Sequence, residues 1–245
     1  VTVLRVLVDP PGGAAWNMAV DDALLQRGAA PTLRLYGWSP HAVSLGWFQR
    51  FVDFRDLPVG TPVVRRRTGG GAIHHGDEVT FALALDADVL PRDVADSYRL
   101  LHDAVVEALS RVGVASQRIP AGHAPTPRPS DRWCFSDAGR DDLVTPRGKL
   151  LGSAQRRLRT PRARVLHHGS LVLQRPALTP FVAAVADAVP PDPAFRARLQ
   201  HELVAALAGV LALEPTPGQL TAEEFALASE LERTCYGNPA FTAQR

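Results

Sequence analysis

Apolar and polar residues follow two rhythms along this chain. Residues 2–8 alternate well enough for a strand and stop at Asp9-Pro10-Pro11-Gly12-Gly13, a turn-rich stretch. Residues 15–26 switch to helical spacing, with Met18, Ala19 and Leu25 on one side and Gly28 near the end. Two strand-like stretches, 32–36 and 42–47, flank Ser39-Pro40, a pair that favours a turn. Residues 62–67 form a short β-rich run that leads into Gly69-Gly70-Gly71, and 79–85 reads as a largely buried strand. Between 96 and 112, Tyr98, Leu101, Val105, Leu109 and Val112 recur at three and four, the period of an amphipathic helix, closed by Gly113. Residues 120–131 carry prolines at 120, 125, 127 and 129 and read as a mobile connector. Strand signals return at 143–144, 149–151 and 170–173. Beyond Pro176 the chain turns Ala- and Leu-rich and helical, and Thr221 with Glu224 fits a capping box opening a last helix to about Cys235.

Strands and helices interleave too irregularly for a doubly wound pattern. The expected fold is α/β (α+β-like), a mixed central β-sheet flanked by helices. The 245 residues suit a single domain, 1–245, of which 176–245 is a mainly helical C-terminal part. No internal repeat or low-complexity tract interrupts it.

Composition narrows the function classes. At 46% hydrophobic and 21% charged the chain is ordinary globular material, not a disordered segment. Twenty-seven basic against 25 acidic residues leave a formal charge of +2, which gives no global reason to expect nucleic acid or an anionic membrane as partner. No apolar run approaches the about 18–20 residues of a spanning helix, and the first residues lack a signal peptide's pattern. Cys134 and Cys235 are far apart and have no metal-ligand spacing, so a reducing cytoplasm is the expected compartment and no metal is expected.

Three segments carry candidate chemistry. In Arg65-Arg66-Arg67-Thr68-Gly69-Gly70-Gly71-Ala72-Ile73-His74-His75, a strand ends in three glycines that let backbone approach a ligand, and free N–H groups beside arginines can form an anion-binding nest. It is neither a Walker loop nor a GxGxxG turn, and a flexible hairpin with a solvated basic flank has the same pattern. Lys149 sits in an apolar strand before Gly152, Ser153 and Ala154; it is either a lysine forced partly out of water and given a task, or one that snorkels from a strand edge. Cys134 lies between aromatic residues as an inert core thiol, or as a nucleophile if the fold brings a cation such as Lys149 to it. Asp21 and Asp22 read as a solvated helix face, His102 and His201 as surface residues. Residues 167–170 have no acidic partner at metal spacing, so zinc is not expected there.

Together these segments resemble the lipoate–protein ligase and octanoyltransferase family, which is related to the biotin–protein ligases. Residues 17–22, Asn-Met-Ala-Val-Asp-Asp, are similar to the family's N-M-A-x-D-E helix, and residues 34–49 to its R-x-Y-x-W…S-x-G-x-x-Q strand pair. Residues 65–75 resemble R-R-x-T-G-G-G-A-V-x-H, 149–155 resemble K-x-x-G-S-A-Q, and 166–173 resemble L-x-H-G-S-L-x-L, all in family order. The resemblance implies a biotin/lipoyl ligase-like catalytic domain. Its acyl or adenylate site would involve Arg65, Arg66, Gly69, Gly70, Gly71, Ala72, His75, Gly152, Ser153, Ala154 and His168, with Lys149 reaching the acyl carbonyl.

Two chemistries compete within such a family. Cys134, fifteen positions before Lys149, resembles the acyl-carrying cysteine of one transferase class. That implies Cys134 and Lys149 as catalytic residues, octanoyl-acyl carrier protein as donor, and a lysine of a lipoyl domain or glycine-cleavage H protein as acceptor, with no cofactor. A thiolate is a strong nucleophile, and its thioester keeps enough free energy for a later amide bond. After Cys134-Phe135, however, the transferase pattern has a Pro-Ser-aromatic stretch, whereas residues 139–143, Gly-Arg-Asp-Asp-Leu, are closer to the G-R-N-D-L of the ligases. The alternative is therefore an ATP- and Mg²⁺-dependent lipoate–protein ligase working through lipoyl-AMP. A non-catalytic acyl-binding accessory protein is the third reading, and it has no need of a cysteine–lysine pair.

Overall fold

In the computed structural model, which describes residues 2–119 and 132–245, the elements in chain order are as follows. They are β1 (Val3–Val8), α1 (Ala14–Arg27), β2 (Thr32–Tyr36), β3 (Ala42–Leu45), β4 (Val63–Arg65), β5 (Ile73–His75), β6 (Glu78–Asp86) and α2 (Val94–Arg111). Then come β7 (Gln117–Arg118), β8 (Leu143–Thr145), β9 (Gly148–Leu158), β10 (Arg164–Val172), α3 (Pro193–Val210), β11 (Glu214–Pro217) and α4 (Ala222–Leu231). The proline-rich connector expected at 120–131 lies outside the described residues.

Eight strands pair in the order β11-β1-β2-β6-β10-β9-β8-β7, and three more in the order β4-β3-β5. The large sheet is mixed: β1 runs parallel to β11 and β2, while β2, β6, β10 and β9 are each antiparallel to the next. Side chains on a strand alternate between faces. Phe81, Leu83, Leu85 and Val165 accordingly pack with α2 and α3 in one core, and Ala82, Ala84 and Leu166 pack with α1 in a second. The expected mixed sheet flanked by helices is what forms. Among the described residues no helix is long and apolar enough to cross a membrane.

Two strands run further than the hydrophobic rhythm predicts. β9 continues to Leu158 and β10 starts at Arg164, because continuous pairing between them carries Arg156, Arg157, His167 and His168 through the sheet. β11 has two prolines and four exposed residues and gives no periodic signal; it is held by its parallel register on β1. The capping box is as expected, Thr221 Oγ1 accepting from the Glu224 N–H and the Glu224 carboxylate from the Thr221 N–H.

Helix α1 corrects a reading of its acidic pair. Asp21 and Asp22 are each only 2% exposed, because α1 is covered by the sheet on one side and by α4 on the other. Asp21 accepts from Arg34 at 2.9 Å and from the Tyr36 hydroxyl at 2.8 Å. Asp22 accepts from Arg156 and from the Tyr236 hydroxyl, both at 2.9 Å. Buried carboxylates of this kind persist because each is paired and hydrogen-bonded.

Candidate active site

Between the two sheets lies a partly open slot, whose empty space is about 440 Å³ with its open mouth included. The large sheet supplies its floor as a row across four strands: Gly152 on β9 pairs with Ser170 on β10, Ser170 with Thr80 on β6, and Thr80 with Tyr36 on β2. His168 and Ala154 belong to the next row on the same face. The roof comes from Ser44 on β3 and from Ile73 and His75 on β5, which share a face of the small sheet. Met18, Trp38, Arg66, Gly69, Gly70 and Cys134 complete the lining.

Cys134 is placed by its backbone. Its N–H donates to the Ala72 carbonyl at 2.8 Å, while the Ala72 N–H donates to the Arg132 carbonyl, also at 2.8 Å. This close pass requires a glycine at 71, where a Cβ would lie 2.7 Å from the Cys134 nitrogen and 3.0 Å from its Cα. Gly71→Ala must therefore push Cys134 away from its partners. We expect it to slow any reaction at the sulfur by about tenfold or more while leaving the circular dichroism spectrum unchanged; parent-like single-turnover rates would refute the packing argument.

Lys149 meets Cys134 from the β9 side. Its ammonium donates to Asp142 Oδ2 at 2.7 Å, to the Cys134 carbonyl at 3.0 Å and to Cys134 Sγ at 3.5 Å, and it lies 4.9 Å above the Phe135 ring. Burial alone would lower its pKa, but the charges of Cys134 and Asp142 outweigh burial and hold it above the ordinary lysine value. Asp142 is itself fixed by the Gly139 N–H at 2.8 Å. A Cβ at residue 152 would fall 2.6 Å from Lys149 Cε, so glycine there leaves room for the ammonium.

A second cation reaches the slot without a carboxylate partner among the described residues. Arg66 donates through Nη1 to the carbonyl and hydroxyl of Ser44, at 2.9 and 3.1 Å, and through Nη2 to the carbonyls of Gly69 and Gly71, at 2.9 and 2.6 Å. Burial lowers its pKa, and charge at Cys134 acts in the opposite direction. Its Nε–H is buried with no partner among the described residues.

Two imidazoles brace the slot. His75 Nδ1 lies 3.0 Å from Glu78 Oε1 and its Nε2 lies 2.7 Å from Ser44 Oγ, with the ring stacked on Trp38 at 3.7 Å. Facing an ionised Glu78, Nδ1 carries the proton and Nε2 accepts from Ser44. His168 similarly links Thr68 at 3.0 Å to Asp21 at 3.5 Å. A third buried imidazole corrects the surface reading of His102, which is 0% exposed on the far face of the sheet, its Nε2 2.6 Å from Ser153 Oγ. His201 is exposed as expected.

Burial lowers the pKa of His74, His75, His102 and His167, in the case of His74 to about 4. His74 Nδ1 must also stay unprotonated to accept the Leu178 N–H at 3.2 Å. In the unfolded chain these rings take up protons near pH 6.5. Folded-state pKa values below that mean that acid favours the unfolded state, so their stabilisation is complete above about pH 6.5 and is lost as pH falls toward 4. Thermal melts should show Tm dropping across that window; a flat Tm would mean that the rings reach water in the fold.

Of the residues singled out from sequence, Arg66, Gly69, Gly70, His75, Cys134, Gly152, Ser153, Ala154 and His168 line the slot, and Lys149 contacts Cys134. Gly71 and Ala72 lie behind Cys134 and position it. Arg65 stands apart from the slot: it donates to the carbonyls of Gly46, Gln49 and Thr242 at 3.1, 2.7 and 2.7 Å, a buried clamp on backbone. Trp38, Ser44, Asp142 and Ser170 fall within the resembling stretches 34–49, 139–143 and 166–173 but were not named as site residues. Glu78 and Thr80 fall outside those stretches, and their one signal was alternation with apolar residues at the head of β6.

The mixed sheet thus brings a cysteine and a buried lysine into contact at a partly open slot, the arrangement of an α/β enzyme domain with a candidate nucleophile. Residues 13–221 match the lipoyl protein ligase A/B catalytic domain, and the chain belongs to that family. The octanoyltransferase LipM of Kyrpidia tusciae is 34% identical over 93% of this chain and 94% of its own length. Among solved structures, protein Ta0514 of T. acidophilum superposes with a TM-score of 0.81 at 23% identity, over 99% of each chain. A lipoate-protein ligase A bound with ATP gives 0.77 at 22% identity, over 99% of this chain and 98% of that one. At these identities the two structures speak for the fold.

Proposed function

We propose that the chain is an acyltransferase that takes octanoyl, or lipoyl, from acyl carrier protein onto Cys134 as a thioester and passes it to a lysine of a lipoyl domain or of the glycine-cleavage H protein. The observation that carries this reading is the Lys149 ammonium 3.5 Å from Cys134 Sγ, beside the slot that Cys134 lines. The named activity of the LipM relative supports the same reaction class. In this reading residues 1–245 act as one catalytic unit in the cytoplasm.

In the first step the Cys134 thiolate attacks the donor's thioester carbonyl; the new C–S bond forms, the donor's C–S bond breaks, and the departing thiolate takes a proton. In the second, the neutral amine of the acceptor lysine attacks the Cys134 thioester; C–N forms, C–S breaks, and the amine's proton ends on solvent or on the released sulfur. Lys149, anchored by Asp142, steadies negative charge on the sulfur in both steps. The Arg66 guanidinium, which lines the slot with Cys134, supplies positive charge toward the carbonyl oxygen as negative charge develops there. Neither ATP nor a metal enters this route, because the donor is already a thioester.

The anchoring of Lys149 by Asp142, within the stretch that resembles the ligases, favours the second reading, an ATP- and Mg²⁺-dependent lipoate ligase. Intact-mass measurement after mixing with octanoyl-acyl carrier protein separates the two. The transferase gives one octanoyl adduct with or without ATP. An unmodified chain that instead catalyses lipoate-dependent pyrophosphate exchange overturns it.

A further inference from the structure

The middle of the slot is built from groups that ought to make it polar. Ser44, Thr80, Ser170, His75 and the Trp38 indole all face it or lie against it. Yet each of their protons is already engaged. Glu78 Oε1 accepts from Thr80 at 2.5 Å, from Ser170 at 2.8 Å and from His75 Nδ1 at 3.0 Å. Thr80 Oγ1 in turn accepts from Trp38 Nε1 at 2.8 Å, and Ser44 Oγ lies between His75 Nε2 and Arg66. None of these atoms is among the buried polar atoms left without a partner.

The register gives the scale. From Gly152, beside the Lys149 ammonium, Ser170 is one strand away and Thr80 two. At about 4.8 Å per strand, Thr80 is about 10 Å from the reactive end. An extended chain of eight carbons, with C–C bonds of about 1.5 Å, spans about 9 Å. Laid across the strands from that end, such a chain would pass Ser170 at its middle and reach Thr80 with its last carbon.

We propose that Glu78 makes the slot selective against tails that end in a hydrogen-bond acceptor, by drawing the protons of Thr80, Ser170 and His75 onto one buried oxygen and away from the chain. A ketone on the seventh carbon would meet a Thr80 and a Ser170 whose protons are both committed to Glu78, and would be buried without a donor. Glu78 touches neither the reacting carbonyl nor the sulfur, and acts through its three donors as a specificity-determining residue. The inference rests on the acyl slot of the preceding subsection and adds which end-group chemistry that slot accepts.

The test compares octanoyl with 7-oxooctanoyl, each as a thioester of the same carrier, by the rate of adduct formation on Cys134. The parent should favour octanoyl on the order of a hundredfold. Glu78→Leu frees the three donors, so the preference should shrink about tenfold or more, and adding Thr80→Val to it should restore much of the discrimination, which general loosening of the fold would not do. Comparable loading of both thioesters by the parent overturns the proposal, and needs no variant to fold. An unchanged preference in folded Glu78→Leu overturns it as well. Failure of the parent to load octanoyl at all removes the acyl-slot reading, and the proposal with it, which is a result distinct from loading both.

Discussion

Cys134→Ser, mixed with octanoyl-acyl carrier protein, should show no thioester adduct and should pass octanoyl to a lipoyl-domain lysine roughly a thousandfold or more slowly than the parent, because a hydroxyl is a far weaker nucleophile than a thiolate. The fold should survive. Cys134 is held through its backbone, by the Ala72 carbonyl and by its own carbonyl accepting from Lys149, and serine keeps both contacts. Intact mass, a single-turnover transfer assay and a thermal melt check the three parts together. Undiminished transfer by Cys134→Ser would end the thioester route.

The second large effect concerns Lys149. Lys149→Met should reduce transfer by about a hundredfold or more, since it removes the fixed positive charge at the sulfur. It should also lower stability by about 3 kcal/mol, because the Asp142 carboxylate is left without its cation in a mostly buried site. The two losses can be separated. Lys149→Met combined with Asp142→Asn should recover much of the stability and none of the rate. If the double variant regained activity as well, Lys149 would be only a partner for Asp142. Lys149→Arg should not substitute, because the ammonium fits beside the bare α-carbon of Gly152, where a broader guanidinium lacks room.

How far the sequence could be read depended on the range of the interactions involved. Elements governed by local rules were legible: the amphipathic α2, the capping box of α4 and the buried strand β6. So was much of the slot's surroundings, because Arg66, the glycines, Cys134 and Lys149 sit in motifs whose spacing survives without the fold. What failed was set by partners far along the chain. Asp21 looks like a solvated helix residue until Arg34 and Tyr36 of β2 are seen to be bound to it. His102 looks like surface until Ser153 reaches it from β9 across 51 positions. Arg65 carries the same motif neighbours as Arg66 but turns toward Thr242, and nothing local distinguishes the two side chains. Glu78 gave only the faint signal of a polar residue at a buried strand position, because its role is defined by three donors on three different strands.

The two walls of the slot belong to separate sheets, joined across the gap by His75 to Glu78 and by His168 to Thr68. A fatty tail lodged there is more than a passenger: it fills the interior where the two halves fail to touch. At about 0.8 kcal/mol for each buried methylene, such a cargo supplies apolar contact comparable to several core side chains. Loading and unloading then change how complete the protein's own interior is, so the acyl-laden chain should be the sturdier form, and release of the tail to an acceptor returns it to a looser one.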